Sequence, residues 1–207
     1  MTFSIVARCA KTLALGVAVS TAVPAVGNRV PHVEAGVGAI ATQANTNINY
    51  GIKGLRLLKR DCSPQIALEA MLKEDPRRET RQVIIIDRKG RVAAFTGKNT
   101  VAWKGHFVGR DFVVAGNMLA GKRVLEAMRE VFEDSEGDLS ERLLKALEAG
   151  EEAGGDRRGR LSAALVMRSE REKCYPSLDL RVDFSPNPVK ELRKIFENCK
   201  RQANNTR

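Results

Sequence analysis

The chain has 207 residues and a mass of 22.7 kDa, the size of one domain or at most two small ones, which excludes a multidomain assembly. Hydrophobic residues make up 43% and charged residues 29%, a balance that builds a globular core and excludes a disordered or collagen-like chain. The net charge of +10 and pI near 9.8 raise nucleic acid as a partner, but only 5% of residues are aromatic and bases alternate with acids, as in Lys73-Glu74-Asp75-Pro76-Arg77-Arg78-Glu79, so no nucleic-acid role is expected.

Thr2 to Arg8 alternates as a strand does, with Phe3, Ile5 and Ala7 on one face, and residues 13–20 are apolar on both faces. Together they predict a hairpin turning at residues 9–12. Residues 8–26 also carry a signal-peptide reading: Arg8 and Lys11, an apolar run, then Ser20, Ala22 and Ala25. The alternation ahead of Arg8 favours the hairpin and, with it, a cytoplasmic protein. No charge-free apolar run reaches 18 residues, so no membrane partner is expected.

Residues 36–43 predict a strand of small residues and the Asn-rich 45–49 a loop. Ile52, Leu55 and Leu58 space one helical face, and Ser63 as N-cap with Pro64 as first helical residue opens a second helix through Lys73. Residues 82–87 and 91–96 predict strands joined at Arg88-Lys89-Gly90, and residues 107–115 one or two more. Val124, Leu125, Met128, Val131 and Phe132 predict a helix; Asp138 and Glu141 form a capping box for the next, which closes at Gly150. Strands at 161–167 and 178–184 follow a glycine-rich loop. A last helix carries Val189, Leu192, Ile195, Phe196 and Cys199, leaving residues 1–199 as one domain and 200–207 as a polar, frayed tail. Strands in hairpins between helix pairs predict an α+β fold with two mostly antiparallel sheets covered by helices.

The four cysteines, Cys9, Cys62, Cys174 and Cys199, and the two histidines, His32 and His106, have no metal-ligand spacing, so no metal is expected. Phosphate-binding glycine loops and the GxSxG elbow are missing as well. Thr2 remains. Removal of Met1 would place a hydroxyl and a free α-amine on one residue, and an α-amine with a pKa of about 7.7–8.0 can accept the hydroxyl proton at neutral pH. Threonine at position two is also common where no such chemistry occurs.

Thr2-Phe3-Ser4-Ile5-Val6-Ala7-Arg8, Leu15-Gly16-Val17-Ala18-Val19, Val114-Ala115-Gly116-Asn117-Met118-Leu119-Ala120-Gly121 and Ala153-Gly154-Gly155-Asp156-Arg157-Arg158-Gly159-Arg160-Leu161-Ser162-Ala163-Ala164 closely resemble a domain-of-unknown-function family, number ten twenty-eight. The resemblance covers residues 2–198 and places the chain with the N-terminal-nucleophile (Ntn) hydrolases. It implies a four-layer αββα sandwich with Thr2 at the end of an inner strand. The implied target is an amide or peptide bond; the substrate is not implied, and a small-molecule or peptide-like compound is the expectation, with no cofactor needed.

On the same resemblance Asn117 supplies an oxyanion donor, or is simply a turn residue at a strand end. Asp156 and Arg157 orient the α-amine and bind a substrate carboxylate, against the alternative of solvated loop charges, and Ser162 relays a proton. Thr42 and Gln43 line the cleft or form a buried hydrogen-bonding pair; His32 and Glu34 are pocket groups or turn residues. The chain departs from the family pattern at Cys9, at Leu161 and above all at Thr21, where a lysine is usual; Lys11 is the candidate to replace that cation. The rival to the hydrolase is a non-catalytic protein of the same fold that binds an anionic metabolite in a basic cleft. Apolar sheet edges make a homodimer the expected assembly.

Overall fold

The computed structural model describes residues 2–170 and 177–205; Cys174, Met1 and the last two tail residues lie outside them. Strands β1 (Thr2–Arg8), β2 (Leu15–Thr21), β3 (Pro31–Glu34) and β4 (Gly38–Ala44) lead into helices α1 (Ile48–Lys59) and α2 (Pro64–Glu74). Then come β5 (Arg81–Asp87), β6 (Val92–Thr96), β7 (Gly105–Gly109), β8 (Phe112–Asn117), α3 (Arg123–Asp134), α4 (Leu139–Glu152), β9 (Ser162–Arg168), β10 (Leu178–Val182) and α5 (Pro188–Asn205). The first sheet has the order β10-β9-β2-β1-β8-β7 and the second β3-β4-β5-β6. Every pairing in both is antiparallel.

Side-chain alternation sorts these strands into layers. Phe3, Ile5 and Ala7 of β1 pack with Leu125, Met128, Leu143, Leu147 and Phe196 under α3, α4 and α5. Val6, with Val17 and Val19 of β2, faces Ala39, Ala41, Ile84 and Ile86 across the gap between the sheets. Ile40, Val83 and Ile85 face the other way, into α1 and α2. The result is the expected four-layer αββα sandwich. β5 reads as an unbroken apolar run, Val83 to Ile86, because both its faces are covered. Each such side chain contributes about 1.5–3 kcal/mol on burial.

Helix signals in the sequence fall where expected: Ser63 Oγ accepts from Ile66 N at 3.3 Å and Asp138 Oδ1 from Glu141 N at 2.9 Å. Four expectations are corrected. The strand expected from residue 36 begins at Gly38, because Gly36 turns with φ +66°. A strand was not expected before it, yet Pro31–Glu34 pairs with β4 at the sheet edge, where proline's missing N–H is tolerated. The Asn-rich loop ends early, since Asn47 caps α1 by accepting from Asn49 N at 3.2 Å. The tail from Lys200 is helical to Asn205 rather than frayed, and Lys200 pairs with Asp138 and Glu141 of α4 at 3.1 and 3.3 Å.

Candidate functional site

At one end of the gap between the sheets the apolar pattern stops. The inward positions of five strands, occupied by Val6, Val19, Ala115, Ala41 and Ile84 in the core, are taken at that end by Thr2 and Ser4 of β1, Thr21 of β2, Asn117 of β8, Gln43 of β4 and Gln82 of β5. All six are at most 5% exposed. Buried polar groups need partners, and these find them in one another. Gln82 is the hub: its Oε1 accepts from Gln43 Nε2 at 2.8 Å and Asn117 Nδ2 at 2.9 Å. Its Nε2 donates to Thr96 Oγ1 and to the carbonyls of Gly105 and Gly116, each at 2.9 Å.

Thr2 heads the inner strand β1 and stands directly opposite Asn117 in the β1–β8 register. Its hydroxyl lies 3.3 Å from that of Thr21. Gln43 Nε2 reaches the Thr2 carbonyl at 3.4 Å and that of Ala115 at 3.3 Å, while Ser4 Oγ donates to Gln43 Oε1 at 2.7 Å. Gln43 is therefore both a buried hydrogen-bonding residue and a wall of this cluster.

The glycine-rich loop closes beside it. Asp156 is buried, forms an isolated bridge to Leu119, and accepts from Ala22 N at 3.0 Å and Arg158 N at 2.9 Å. Its guanidinium partner is Arg158, at 3.2 Å. Arg157 is exposed and joins the loop through its backbone N–H, which donates to Met118 O at 3.3 Å. Ser162 Oγ donates to Val23 O at 2.6 Å and accepts from Val26 N at 3.1 Å. The bonds of Asp156 and Ser162 thus pin the segment after β2 against the loop.

Two expected residues lie elsewhere. Thr42 shares the face of Ile40, toward α1, where its hydroxyl donates to Asn47 O at 3.2 Å. His32, paired with Ile40 on the same side, packs its ring against Gly51 of α1, and burial lowers its pKa. Both sit one register step off the inter-sheet face, so neither joins Thr2. Lys11 is at the opposite end of β1, about 20 Å away at 3.3 Å per residue, and does not replace a cation near Thr21. Beneath α1, Asp75 is held down to about 2: burial alone would raise its pKa, but Arg81 Nε at 2.8 Å, Arg77 N–H and the Tyr50 hydroxyl outweigh it.

Gln82 escaped the sequence reading. The available signal was a lone amide two positions before Ile84 in an otherwise apolar strand, which the alternation rule assigns to the same inward face. Among the described residues no group of three or more His, Cys, Asp or Glu is arranged to hold a metal ion. No helix there is long and apolar enough to cross a membrane.

This is a four-layer αββα protein whose inter-sheet layer ends in a closed set of hydroxyls and amides around the first strand. The chain belongs to the family of unknown function DUF1028, whose model matches residues 2–192. It is 34% identical to protein SPO2555 from Silicibacter pomeroyi, a protein assigned to the same family, with a TM-score of 0.89 over 95% of this chain and 85% of that one. Anbu, an ancestral beta-subunit from Yersinia bercovieri, aligns over 97% of this chain and 96% of its own at 9% identity and a TM-score of 0.40, too slight a likeness to add to the fold described above. No curated protein is similar in sequence to the chain.

Proposed function

We propose that the chain is an N-terminal-nucleophile hydrolase that cleaves an amide bond of a small or peptide-like substrate with Thr2. The observation that carries this reading is the position of Thr2 at the head of an inner strand, its hydroxyl 3.3 Å from Thr21 Oγ1 and its register partner the amide-bearing Asn117. Once Met1 is removed, the α-amine takes the Oγ1 proton as Oγ1 bonds to the substrate carbonyl carbon. Asn117 Nδ2 gives one N–H to Gln82 Oε1; its second N–H is the donor for the developing oxyanion. The protonated α-amine then passes its proton to the departing amine as the C–N bond breaks. Water, deprotonated by the same amine, cleaves the ester left on Thr2 and restores the hydroxyl.

Thr21 stands beside the nucleophile as a neutral hydroxyl where the family resemblance places a lysine.

The test is intact mass and N-terminal sequencing of the protein from its own cells, before and after a threonine-directed electrophile. Loss of Met1 and a single adduct on Thr2, absent in Thr2→Ala, support the reading. Retained Met1 with no adduct refutes it and leaves the non-catalytic anion-binding reading.

A further inference from the structure

A cavity of about 680 Å³ opens at the far end of β1 from Thr2. Three chain segments build its wall: the β1–β2 turn with Arg8 and Lys11, the β7–β8 turn with Arg110 and Asp111, and the α3–α4 junction with Glu136 and Arg142. Four cations thus face two carboxylates. Asp111 is already engaged, its Oδ1 accepting from Arg8 Nη1 at 2.8 Å. Lys11, Arg110 and Arg142 are left with Glu136 alone to offset them.

The arginines also have hydrogen-bonding capacity to spare. Arg142 lies 4.2 Å over the Phe132 ring and donates through Nη2 to Phe132 O at 2.9 Å. A guanidinium carries five N–H donors, and the buried Nε atoms of both Arg8 and Arg142 have no partner among the described residues. Lys11 and Arg110 are exposed and have no carboxylate partner there.

Cys9, on the same wall, reports the local field. Burial pushes its thiol up, yet the Thr12 hydroxyl, the backbone of Thr12 and Lys11, and the Arg142 charge together bring it below its ordinary value. Arg142, stacked on an aromatic ring and held by a backbone carbonyl, has its charge fixed in place, which is the preorganisation that anion recognition requires.

We propose that this cavity is a binding site for a small phosphorylated molecule, separate from the Thr2 site. A lone carboxylate is satisfied by one guanidinium fork. Cations converging from three segments instead suit a tetrahedral dianion, whose oxygens point in several directions. The volume lies within the roughly 300–1,000 Å³ of small-molecule sites, so a phosphoryl group fills only part of it and leaves room for an organic body.

The test is titration calorimetry with inorganic phosphate and, separately, ribose 5-phosphate, at ionic strength held constant with sodium chloride. Wild type is compared with Lys11→Gln/Arg110→Gln and with Lys145→Gln/Lys194→Gln, which removes the same charge from exposed helix positions. Saturable binding that weakens at least about tenfold in the first variant and not in the second is expected. Tighter binding of the ester then identifies an organic phosphate, and equal binding identifies free phosphate; both support the site. No saturable binding of either probe, or equal weakening in both variants, overturns it, the latter by showing only general attraction to a basic chain. None of these residues touches Thr2, so the outcome is independent of whether the chain is a hydrolase.

Discussion

Replacing Gln82 by methionine, a side chain of similar length without polar atoms, tests whether the amide cluster is held by its hub. The substitution deprives Asn117 Nδ2 of an acceptor at 2.9 Å and Gln43 Nε2 of one at 2.8 Å. A buried donor left without a partner costs about 1–3 kcal/mol. Gln43 keeps its longer contacts to Ala115 O and Thr2 O, at 3.3 and 3.4 Å, so its share falls at the low end. The carbonyls of Gly105 and Gly116 and the Thr96 hydroxyl also lose a donor. The expected loss is about 2–4 kcal/mol, which at about 2–4 °C per kcal/mol for a chain of this size lowers Tm by about 4–16 °C. Circular-dichroism melts and urea titrations measure it, with Gln65→Met on the exposed face of α2 as the control, expected within about 0.5 kcal/mol of wild type. If Gln82→Met also falls within that margin, the cluster contributes nothing that packing does not supply.

Asp75 predicts an acid response. Its folded pKa of about 2 lies below its ordinary 3.8, so its contribution is complete above pH 4 and is lost as pH falls toward 2. Asp75→Asn is expected to show a flatter dependence of urea stability on pH between 4 and 2, and equal slopes would refute the assignment. Gly97→Ala should destabilise by about 1–3 kcal/mol, because a Cβ there overlaps the Glu79 backbone, which cannot rotate away; an unchanged urea midpoint would show that the β6 end yields. Asp156→Ala frees Ala22 N and Arg158 N, and limited proteolysis should then cut within 154–160 while the sheets stay intact. Cleavage at the wild-type rate would mean that the loop is fastened by other contacts.

Most of the fold was legible because period-two and period-3.6 patterns report burial directly. The β1–β2 hairpin, the Ser63 and Asp138 caps and the α3 stripe follow from residues that do locally what the tertiary structure asks of them. β3 was not legible: Pro31-His32-Val33-Glu34 has one aliphatic residue, and its strand conformation is imposed by pairing with β4. Which of the candidate residues the fold would bring together was less legible. Thr2 and Asn117 were reachable from the family resemblance, and the register brings them together. Thr42 and Gln43 are adjacent in sequence and therefore face opposite ways, so only one of any such pair can reach the inter-sheet gap. In the glycine-rich loop no period orders the side chains, so the sequence did not show that Arg158 turns to Asp156 while Arg157 faces outward.

The six polar residues at the Thr2 end are not required by the architecture. Their own strands show what the same layer accepts when only packing decides: Val6 after Ser4, Val19 before Thr21, Ala41 before Gln43, Ile84 after Gln82, Ala115 before Asn117. Apolar side chains at those positions would avoid the desolvation of amides and hydroxyls, and a well-packed apolar replacement of a buried polar network is commonly neutral or stabilising. Selection for stability alone therefore does not account for the cluster. It is confined to the end where β1 begins, and it brings a hydroxyl at Thr2 opposite an amide with one N–H uncommitted to Gln82. Ser4, the next hydroxyl along the strand, already donates to Gln43 at 2.7 Å and has no α-amine within its own residue. With Met1 removed, Thr2 is the position on this strand where a hydroxyl and an α-amine share a single residue, and on the proposed reading the buried amides behind it form the rigid setting such a residue needs.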